Sequence, residues 1–437
     1  MIRGIALCLA LVASASAALA RFDVQEIETA AGLSVWLVED HSIPIVTLEA
    51  AFLGGASLDP EGKEGATRLA MSLLDEGAGD LDAVDFARAR DMLATRIGFG
   101  ASRDSVSVSL RTLTETLDAS ADLLHTAIHA PRFDGDAVER ARAQMLSSAR
   151  FEETDPGAIA GRALSAMAFP DHPYGRTIDG TVESMAALAV PDLRAALARV
   201  LVRDRAHISI VGDVTPEEAA ALVDRLFADL PEAEVPLPKP ADIALDGGTT
   251  VIDLDVPQSL ALFSQPGLSR EDPDFFPAFV MNHILGGGGF SSRLTQEVRV
   301  ERGLTYSVGT SLSPRRYGPV LTGSVASSND TIAEAIAVIR AEWARMAAEG
   351  VTEAELTAAK QYLTGAYPLR FDRASRIAGI LVGLQARDLG QDYINTRNDM
   401  VDAVTTDDIQ RVAARLLDPD GLHFVVVGRP EGLAPTQ

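Results

Sequence analysis

Apolar positions in the first part of the chain follow two different periods. Residues 33–38 and 45–52 are short apolar runs rich in β-branched side chains, and residues 106–110 alternate apolar and polar positions, so all three are predicted as strands. Residues 65–74 and 81–93 place apolar side chains at helical spacing. Strands interspersed with pairs of helices predict an α+β fold, in which helices cover a sheet.

A pattern from the middle of the chain returns near its end. Residues 192–199 and 408–415 each predict a capped amphipathic helix, and residues 207–212 and 423–428 each predict a short strand that ends at glycine. The offset between the copies is a constant 216 residues. Residues 133–145 and 351–362 form a second, looser pair of predicted helices. Because the offset is close to half of the 437 residues, the chain is predicted to contain two copies of one large domain.

A proline-rich stretch separates the two copies. Four prolines lie between residues 230 and 240, and proline is excluded from helix interiors and central strands. We therefore predict an N-terminal domain over residues 21–230, an extended linker over residues 231–248 and a C-terminal domain over residues 249–437.

Composition narrows the classes of partner. Hydrophobic residues make up 47% of the chain and charged residues 23%, as in ordinary globular proteins. The formal net charge is −24, from 62 acidic and 38 basic residues. Nucleic-acid binding depends on Lys and Arg to neutralise phosphates, so no nucleic-acid partner is expected. An anionic membrane surface would repel the chain as well.

The first twenty residues predict a secretory signal peptide. Arg3 is followed by an apolar run over residues 5–12 and by the small residues that end at Ala18-Leu19-Ala20. A membrane anchor is the alternative, but the segment is shorter than the ~20 residues that a spanning helix needs. No later run is long and uncharged enough to span a bilayer. We therefore expect an exported, periplasmic protein without membrane insertion, and Cys8, the only cysteine, lies in the part that is removed.

Several short motifs occur in an order that is similar to the pitrilysin family of zinc peptidases. They are Gly65-Ala-Thr, His172-Pro-Tyr-Gly, the proline-rich linker, Asn282-His-Ile-Leu-Gly, Ser291-Ser-Arg-Leu and Arg302-Gly-Leu-Thr-Tyr. This family includes insulin-degrading enzyme, the mitochondrial processing peptidase and the core proteins of respiratory complex III. The resemblance implies an α+β fold of two homologous halves, each a mainly antiparallel sheet covered by helices, arranged as a clam shell.

The zinc motif of the family is degenerate in this sequence. Active members carry His-x-x-Glu-His on a helix, where two imidazoles bind zinc and the Glu is the general base. Here Arg68, Met71 and Ser72 stand at those three positions, and Ser148 stands where a later Glu would be the third ligand. Met and Ser are poor zinc ligands and Arg has no lone pair to offer. We therefore expect no metal and no catalytic residue on this helix.

Other histidines offer weaker candidates. His125 and His129 lie four residues apart on a predicted helix, but no third ligand is evident, which favours surface or partly buried histidines. His172 precedes proline in a predicted loop, which favours a structural role. No nucleophile elbow or phosphate-binding loop is present in the sequence.

The resemblance implies a substrate site in the second half. In the family an Arg/Tyr pair reaches a peptide across the chamber, and here the pair is Arg302 and Tyr306. The glycine run, Gly286, Gly287, Gly288 and Gly289, is a second candidate for peptide contact. The alternatives are structural: Arg302 also fits the end of a helix closed by Gly303, Tyr306 also fits a packed strand residue, and the glycines also fit a flexible turn.

The resemblance also implies a division of labour between two chains. A zinc-bearing homologous subunit would supply the catalytic helix and the zinc, and this chain, with no cofactor of its own, would bind the peptide substrate through Arg302 and Tyr306. A peptide-binding or scaffold protein without any role in proteolysis is the alternative. A peptidase that uses unfamiliar residues is a third reading, for which the sequence offers no constellation.

Overall fold

The computed structural model describes residues 23–436. The predicted signal peptide, residues 1–20, lies outside that range. The strands of the first half are β1 (Gln25–Glu28), β2 (Ser34–Glu39), β3 (Ile45–Leu53), β4 (Gly77–Ala78), β5 (Leu81–Asp82), β6 (Arg96–Ala101), β7 (Ser105–Leu113) and β8 (Ala206–Gly212). Its helices are α1 (Ala66–Met71), α2 (Ala83–Met92), α3 (Leu117–His129), α4 (Gly135–Glu152), α5 (Pro156–Ala168), α6 (Val182–Ala187), α7 (Val190–Val200) and α8 (Pro216–Phe227).

The second half repeats this mixture of strands and helices. Its strands are β9 (Gly248–Asp253), β10 (Gln258–Pro266), β11 (Ser307–Ser313), β12 (Val320–Ser328) and β13 (His423–Gly428). Its helices are α9 (Phe275–Asn282), α10 (Ile332–Glu349), α11 (Glu353–Ala366), α12 (Ala374–Gln385), α13 (Tyr393–Asp402) and α14 (Thr406–Leu416). Two π-helical segments, His283–Gly287 and Thr295–Val300, follow α9.

The two main sheets share one topology. The first has the strand order β1-β2-β8-β3-β7-β6 and the second has the order β11-β12-β10-β13-β9. Read in the opposite direction, as β9-β13-β10-β12-β11, the second sheet matches the part β2-β8-β3-β7-β6 of the first. Each sheet has one parallel pair, β2 with β8 and β9 with β13. The remaining pairs of both sheets are antiparallel. The predicted α+β fold with a mainly antiparallel sheet in each half is confirmed.

The repeated sequence pattern forms equivalent elements. Helix α7 leads into β8, and helix α14 leads into β13, at the 216-residue offset. Helix α14 begins at a capping box, in which the Thr405 hydroxyl accepts from the Asp408 N–H and the Asp408 carboxylate accepts from the Thr405 N–H at 3.0 Å. Such a cap satisfies two helix-end donors at once, so the sequence signal and the structure agree.

Each sheet buries one face against the helices of its own half. In the first half Phe52 of β3 packs edge-on against Phe227 of α8, with ring centroids 5.5 Å apart. In the second half Phe263 of β10 packs edge-on against Trp343 of α10, and the Trp343 indole N–H donates to the Gln265 side chain at 2.8 Å. Both clusters are fully buried, as expected for halves of this size.

The opposite face of each sheet is covered by a helix from the other half. Helix α5 packs on β10 and β13 of the second sheet, and helix α12 packs on β8 and β3 of the first. Ala160 and Leu164 of α5 share a cluster with Val425 and Val427, all buried. This exchange of helices, which the sequence did not predict, joins the two halves through their apolar cores.

The predicted linker has no regular secondary structure over residues 231–247, and it lies against both halves. Leu237, Ile243 and Leu245 join the apolar cluster around α5. The main-chain N–H of Ala241 donates to the Tyr317 carbonyl at 2.6 Å, and that of Ala244 donates to the Ala168 carbonyl at 3.0 Å. The segment is therefore a packed connection rather than a free tether.

Within residues 23–436 no helix combines the length and apolarity that crossing a membrane requires.

Candidate functional site

The degenerate zinc helix is α1. Gly65 precedes it with a φ of +91°, a conformation that favours glycine. Asp59, which is buried, accepts hydrogen bonds from the Thr67 N–H at 3.2 Å and from the Thr67 hydroxyl at 2.6 Å. Burial raises the pKa of the Asp59 carboxyl, and the hydrogen bonds from Thr67 oppose that rise. These contacts fix how the helix presents residues 68 to 72.

The three motif positions of α1 are already engaged by the protein. Arg68 forms an ion pair with Asp179. The Met71 side chain is buried in the first core, and the exposed Ser72 donates its hydroxyl to the Leu69 carbonyl at 2.9 Å. None of these three side chains is a good zinc ligand with a free lone pair.

A cavity of about 550 Å³ lies between α1, β6 and α4, where the resemblance places the metal. Ala137, Ala141 and Gln144 line it from α4, and Glu76 is the carboxylate that lines it. Glu76 is paired with Arg140 at 2.8 Å. Ser148 is exposed and lies one helical turn beyond Gln144, whose carbonyl accepts from the Ser148 hydroxyl at 3.3 Å.

The residues present do not fit a zinc ion. Zinc sites use His, Cys, Asp or Glu, with at least three protein ligands. Across residues 23–436 no three such side chains are grouped so as to hold a metal. Arg68 and Arg140 add positive charge to the cavity walls, which would repel a dication.

The other histidines support local structure. His125 and His129 stack on α3 with ring centroids 4.2 Å apart, and His129 Nε2 lies 2.9 Å from the Leu226 carbonyl. Burial lowers the pKa of His125, as does the neighbouring His129. His172 Nδ1 accepts from the Tyr174 N–H at 3.1 Å, and its Nε2 lies 3.0 Å from the Lys239 carbonyl.

The glycine run overlaps the end of the first π-helical segment, His283–Gly287, and is packed rather than loose. Gly286 is buried, and a Cβ atom there would overlap the Thr310 side chain. A Cβ at Gly287 would lie 2.7 Å from Asn282 Nδ2, and a Cβ at Gly288 would lie 2.7 Å from the His283 carbonyl oxygen. Gly289 meets open space but has a φ of +60°. Close packing and one left-handed turn therefore explain the four glycines, and π-helical segments of this kind are frequent at functional sites.

Arg302 has the geometry of a helix-end residue. Its Nη1 donates to the Glu297 carbonyl at 2.7 Å and to the Glu297 carboxylate at 2.6 Å. These hydrogen bonds raise the pKa of Arg302. Gly303 follows with a φ of +64°, and its N–H closes the helix on the Arg299 carbonyl at 3.1 Å. Arg302 is thus occupied within its own helix turn.

The arginine that accompanies Tyr306 is Arg299, which the sequence reasoning missed. Its guanidinium carbon lies 4.7 Å from the Tyr306 ring centroid and 4.7 Å from the Phe290 ring centroid. Phe290 is 69% exposed and Tyr306 is 82% exposed. Arg299 lies in the second π-helical segment, Phe290 directly follows the glycine run, and Tyr306 directly precedes β11. The only sequence signal for this group was that one arginine and two aromatic residues lie close together in the chain without belonging to a predicted apolar face.

The Phe290–Arg299–Tyr306 stack, as we name these three residues, has clear chemical capacity. The guanidinium is held between two rings by cation–π contacts. No side-chain hydrogen bond or ion pair of Arg299 or Tyr306 is formed with the rest of residues 23–436. Five N–H donors and one phenolic hydroxyl are therefore available to a peptide carbonyl or carboxylate.

Comparisons with known proteins agree with these observations. A family profile described as "Peptidase M16 inactive domain" matches residues 187–363. A Helicobacter pylori protein named as a non-peptidase homolog is 27% identical over 338 residues, covering 77% of this chain and 78% of that protein. An uncharacterized zinc protease of Mycobacterium leprae is 28% identical over 373 residues, covering 81% and 80%.

Solved structures extend the match to nearly the whole chain. The crystal structure of a peptidase M16 inactive domain from Pseudomonas fluorescens superposes with a TM-score of 0.87 at 26% identity, covering 95% of this chain and 100% of that one. A protease from Helicobacter pylori superposes with a TM-score of 0.83 at 17% identity, covering 93% and 99%, and shows the fold alone. With Arg68, Met71 and Ser72 in place of a zinc motif, the chain is thus similar to M16, or pitrilysin-type, peptidases over most of its length, and to their inactive domain over residues 187–363.

Proposed function

We propose that this chain is the non-catalytic subunit of an exported heterodimeric zinc metallopeptidase, in which it binds the peptide substrate and contacts the transition state in trans to a zinc-bearing homologous partner. The observation that carries the proposal is the exposed Phe290–Arg299–Tyr306 stack in a chain whose own zinc helix has no suitable ligands. The periplasm is the proposed location, on the signal-peptide pattern of residues 1–20.

Exposure supports a binding role for the stack. Large aromatic side chains that face solvent together are typical of interaction sites, because burying them in a complex removes apolar area from water. Phe290 and Tyr306 expose most of their surface and hold Arg299 between them. A guanidinium fixed in this way loses little side-chain entropy when it binds a peptide carbonyl or carboxylate.

The proposal assigns peptide contact to a different arginine from the one predicted from sequence. Arg302, the residue predicted from sequence, donates to Glu297, so binding a peptide would require that ion pair to break. Arg299 has no such competitor among the described residues. We therefore assign ground-state peptide contact to Arg299, and to the Tyr306 hydroxyl the stabilisation of a developing oxyanion at the partner's zinc.

The test begins with the partner. Affinity purification of the tagged chain from its native periplasm should recover a homologous chain that carries His-x-x-Glu-His, and the reconstituted pair should cleave peptides in a chelator-sensitive manner. In that pair Tyr306→Phe should lower kcat by ~10²–10³-fold, as for the loss of an oxyanion donor. Tyr362→Phe is the matched control, since Tyr362 is also exposed and stacks on His283.

Two outcomes would reject the proposal. One is recovery of the chain without any zinc-bearing relative, and the other is an unchanged kcat for Tyr306→Phe in an active pair. Either result would favour the alternative of a peptide-binding or scaffold protein with no role in proteolysis, in line with the relative named as a non-peptidase homolog.

A further inference from the structure

A cluster of arginines lines two adjoining cavities beside α12. The cavities have volumes of about 380 and 620 Å³, which is the size range of ligand sites. Gly379 and Gly383 of α12 border both cavities. The arginines that line one or both cavities are Arg270, Arg315, Arg316, Arg370, Arg387 and Arg397.

This cluster is unusual in a chain with a net charge of −24. None of its six arginines forms an ion pair with any residue of the described range 23–436. Only two carboxylates, Asp104 and Glu271, line the larger cavity, and none lines the smaller one. Asp104 already accepts a hydrogen bond from the Tyr174 hydroxyl at 2.5 Å. The cavities therefore concentrate positive charge that the chain does not neutralise.

Aromatic rings and carbonyl groups hold two of these arginines in place. The Arg270 guanidinium carbon lies 3.9 Å from the Phe275 ring centroid, and Arg270 donates to the Tyr393 hydroxyl. Arg397 donates to the Leu363 carbonyl at 2.8 Å and lies 4.7 Å from the Tyr367 ring centroid. Such contacts fix the position of a guanidinium without cancelling its charge.

The pKa of Arg270 reflects both its burial and the repulsion among the clustered arginines. Burial and the nearby charges of Arg387 and Arg397 lower the pKa of Arg270 to about 10. The side chain stays protonated at neutral pH, but the neighbouring cations repel one another. A bound anion would remove that repulsion, which is a reason for the site to bind one.

Helix α12 leaves room for a ligand. Glycine favours a helix less than alanine does, yet Gly379 and Gly383 of α12 both line the cavities. A Cβ atom at Gly379 would have no neighbour within 4 Å. Packing does not require glycine at position 379, so the lack of a side chain there serves to keep the cavity open.

We infer that these cavities bind an acidic segment of a peptide. The arginines match Asp and Glu carboxylates through their paired N–H donors. Phe276, Ile380, Leu384 and Pro314 give the walls an apolar component, which suits the aliphatic parts of a peptide better than an inorganic anion. Two adjoining cavities also suit an elongated ligand. The inference rests on the peptide-binding role proposed above and specifies the class of peptide.

The test uses the mature chain and fluorescence anisotropy. The probe is a short labelled peptide in which Glu and Leu alternate, compared with the same peptide carrying Gln in place of Glu. The Glu peptide should bind at least ~10-fold more tightly, and its affinity should fall as salt is added. The overall negative charge of the protein would disfavour non-specific binding of this probe.

Three variants of cavity-lining residues and one control locate the site. Arg370→Glu and Arg387→Glu reverse exposed charges in the cavities and should each weaken binding by ~10-fold or more. Arg150→Glu is the matched control, since Arg150 is exposed on α4 and also forms no ion pair within residues 23–436. Gly379→Leu should block the cavities without changing charge, and its melting temperature should not fall, because leucine favours the helix more than glycine.

Equal affinity for the Glu and Gln peptides would overturn the inference, as would unchanged binding in all three cavity variants. Binding of tripolyphosphate without binding of the Glu peptide would overturn the assignment to a peptide. Tyr362→Phe changes an exposed tyrosine outside both cavities and should leave this binding unchanged. An unchanged kcat for Tyr306→Phe in the reconstituted pair, with binding of the Glu peptide intact, would refute the proposed subunit role alone. A lowered kcat for that variant, in a chain that does not bind the Glu peptide, would refute this site alone.

Discussion

Gln385 binds the main chain of Ile208 through both atoms of its side-chain amide. The Ile208 N–H donates to Gln385 Oε1 at 3.2 Å, and Gln385 Nε2 donates to the Ile208 carbonyl at 2.8 Å. Two turns earlier on α12, the Ala378 carbonyl accepts from the Ser209 hydroxyl at 2.8 Å. A helix of the second half thus completes the hydrogen bonding of a strand in the first, so the halves should not unfold independently.

Gln385→Ala is expected to destabilise the whole chain. The change leaves the Ile208 N–H and carbonyl without these partners in a buried position, at a cost of ~1–3 kcal/mol per unsatisfied group. Denaturant unfolding followed by fluorescence should show a lower midpoint with a single transition. Gln361→Ala, at an exposed position on α11, is the control and should change little. Unfolding of Gln385→Ala with an unaltered midpoint would show that the contact between the halves does not depend on this amide.

Arg299 and Arg302 are expected to differ in their effects on a reconstituted peptidase pair. Arg299→Ala should raise KM, because the guanidinium between Phe290 and Tyr306 is assigned to ground-state peptide binding. Arg302→Ala should leave KM and kcat unchanged and lower the melting temperature slightly, since Arg302 contacts Glu297 at a helix end. Steady-state kinetics measured beside thermal melting separate the two. The opposite pattern would restore Arg302 as the peptide-binding residue.

Restoring the zinc motif on α1 should not restore a zinc site. In the triple variant Arg68→His, Met71→Glu and Ser72→His, the only carboxylate of the original cavity lining, Glu76, stays paired with Arg140. The variant also loses the Arg68 ion pair with Asp179 and places a carboxyl at the buried position 71. Metal analysis after dialysis should find far less than one zinc per chain. Stoichiometric zinc with chelator-sensitive cleavage would contradict this expectation.

Glu49 is expected to make stability depend on pH. Burial raises its pKa from 4.5 to about 7 in the folded chain, so folding favours the protonated form. The contribution of Glu49 to the free energy of unfolding is therefore greatest below pH 4.5, and it is lost as the pH rises towards 7. Glu49→Gln should raise the free energy of unfolding by ~2–3 kcal/mol above pH 7 and leave it nearly unchanged at pH 4.

Denaturant unfolding at several pH values measures this effect of Glu49→Gln. The control is Glu28→Gln, which removes an exposed carboxylate from β1 and should have little effect at any pH. An equal gain for Glu49→Gln at pH 4 and pH 8 would show that the benefit comes from packing rather than from the charge.

Gly286→Ala and Gly289→Ala should both destabilise the chain, for different reasons. At position 286 the added methyl overlaps Thr310, so the π-helical segment must shift, at a cost of ~1–3 kcal/mol. At position 289 the methyl meets open space, and only the left-handed backbone with a φ of +60° is strained, at ~1–2 kcal/mol. Melting curves together with peptide binding distinguish packing from peptide contact. Reduced peptide binding with unchanged melting would assign the glycines to the ligand.

Local sequence patterns were sufficient for the class of fold and for its repetition. The capped helix α14 and the β-branched strand β13 follow from neighbouring residues, and the same pattern 216 residues earlier gives α7 and β8. The loss of zinc chemistry is equally local, because a single helical turn carries Arg68, Met71 and Ser72. Periodicity, caps and motif spacing are short-range properties, so they can be read along the chain.

Tertiary structure alone decided which distant residues meet. The exchange of α5 and α12 between the halves, the stacking of Arg299 on Phe290 and Tyr306, and the convergence of six unpaired arginines beside α12 depend on contacts between remote segments. A helix pattern shows that one face will be buried but not which sheet buries it. By sequence alone this chain is therefore a duplicated α+β protein without a zinc motif, and long-range packing determines where it presents its arginines and exposed aromatic rings.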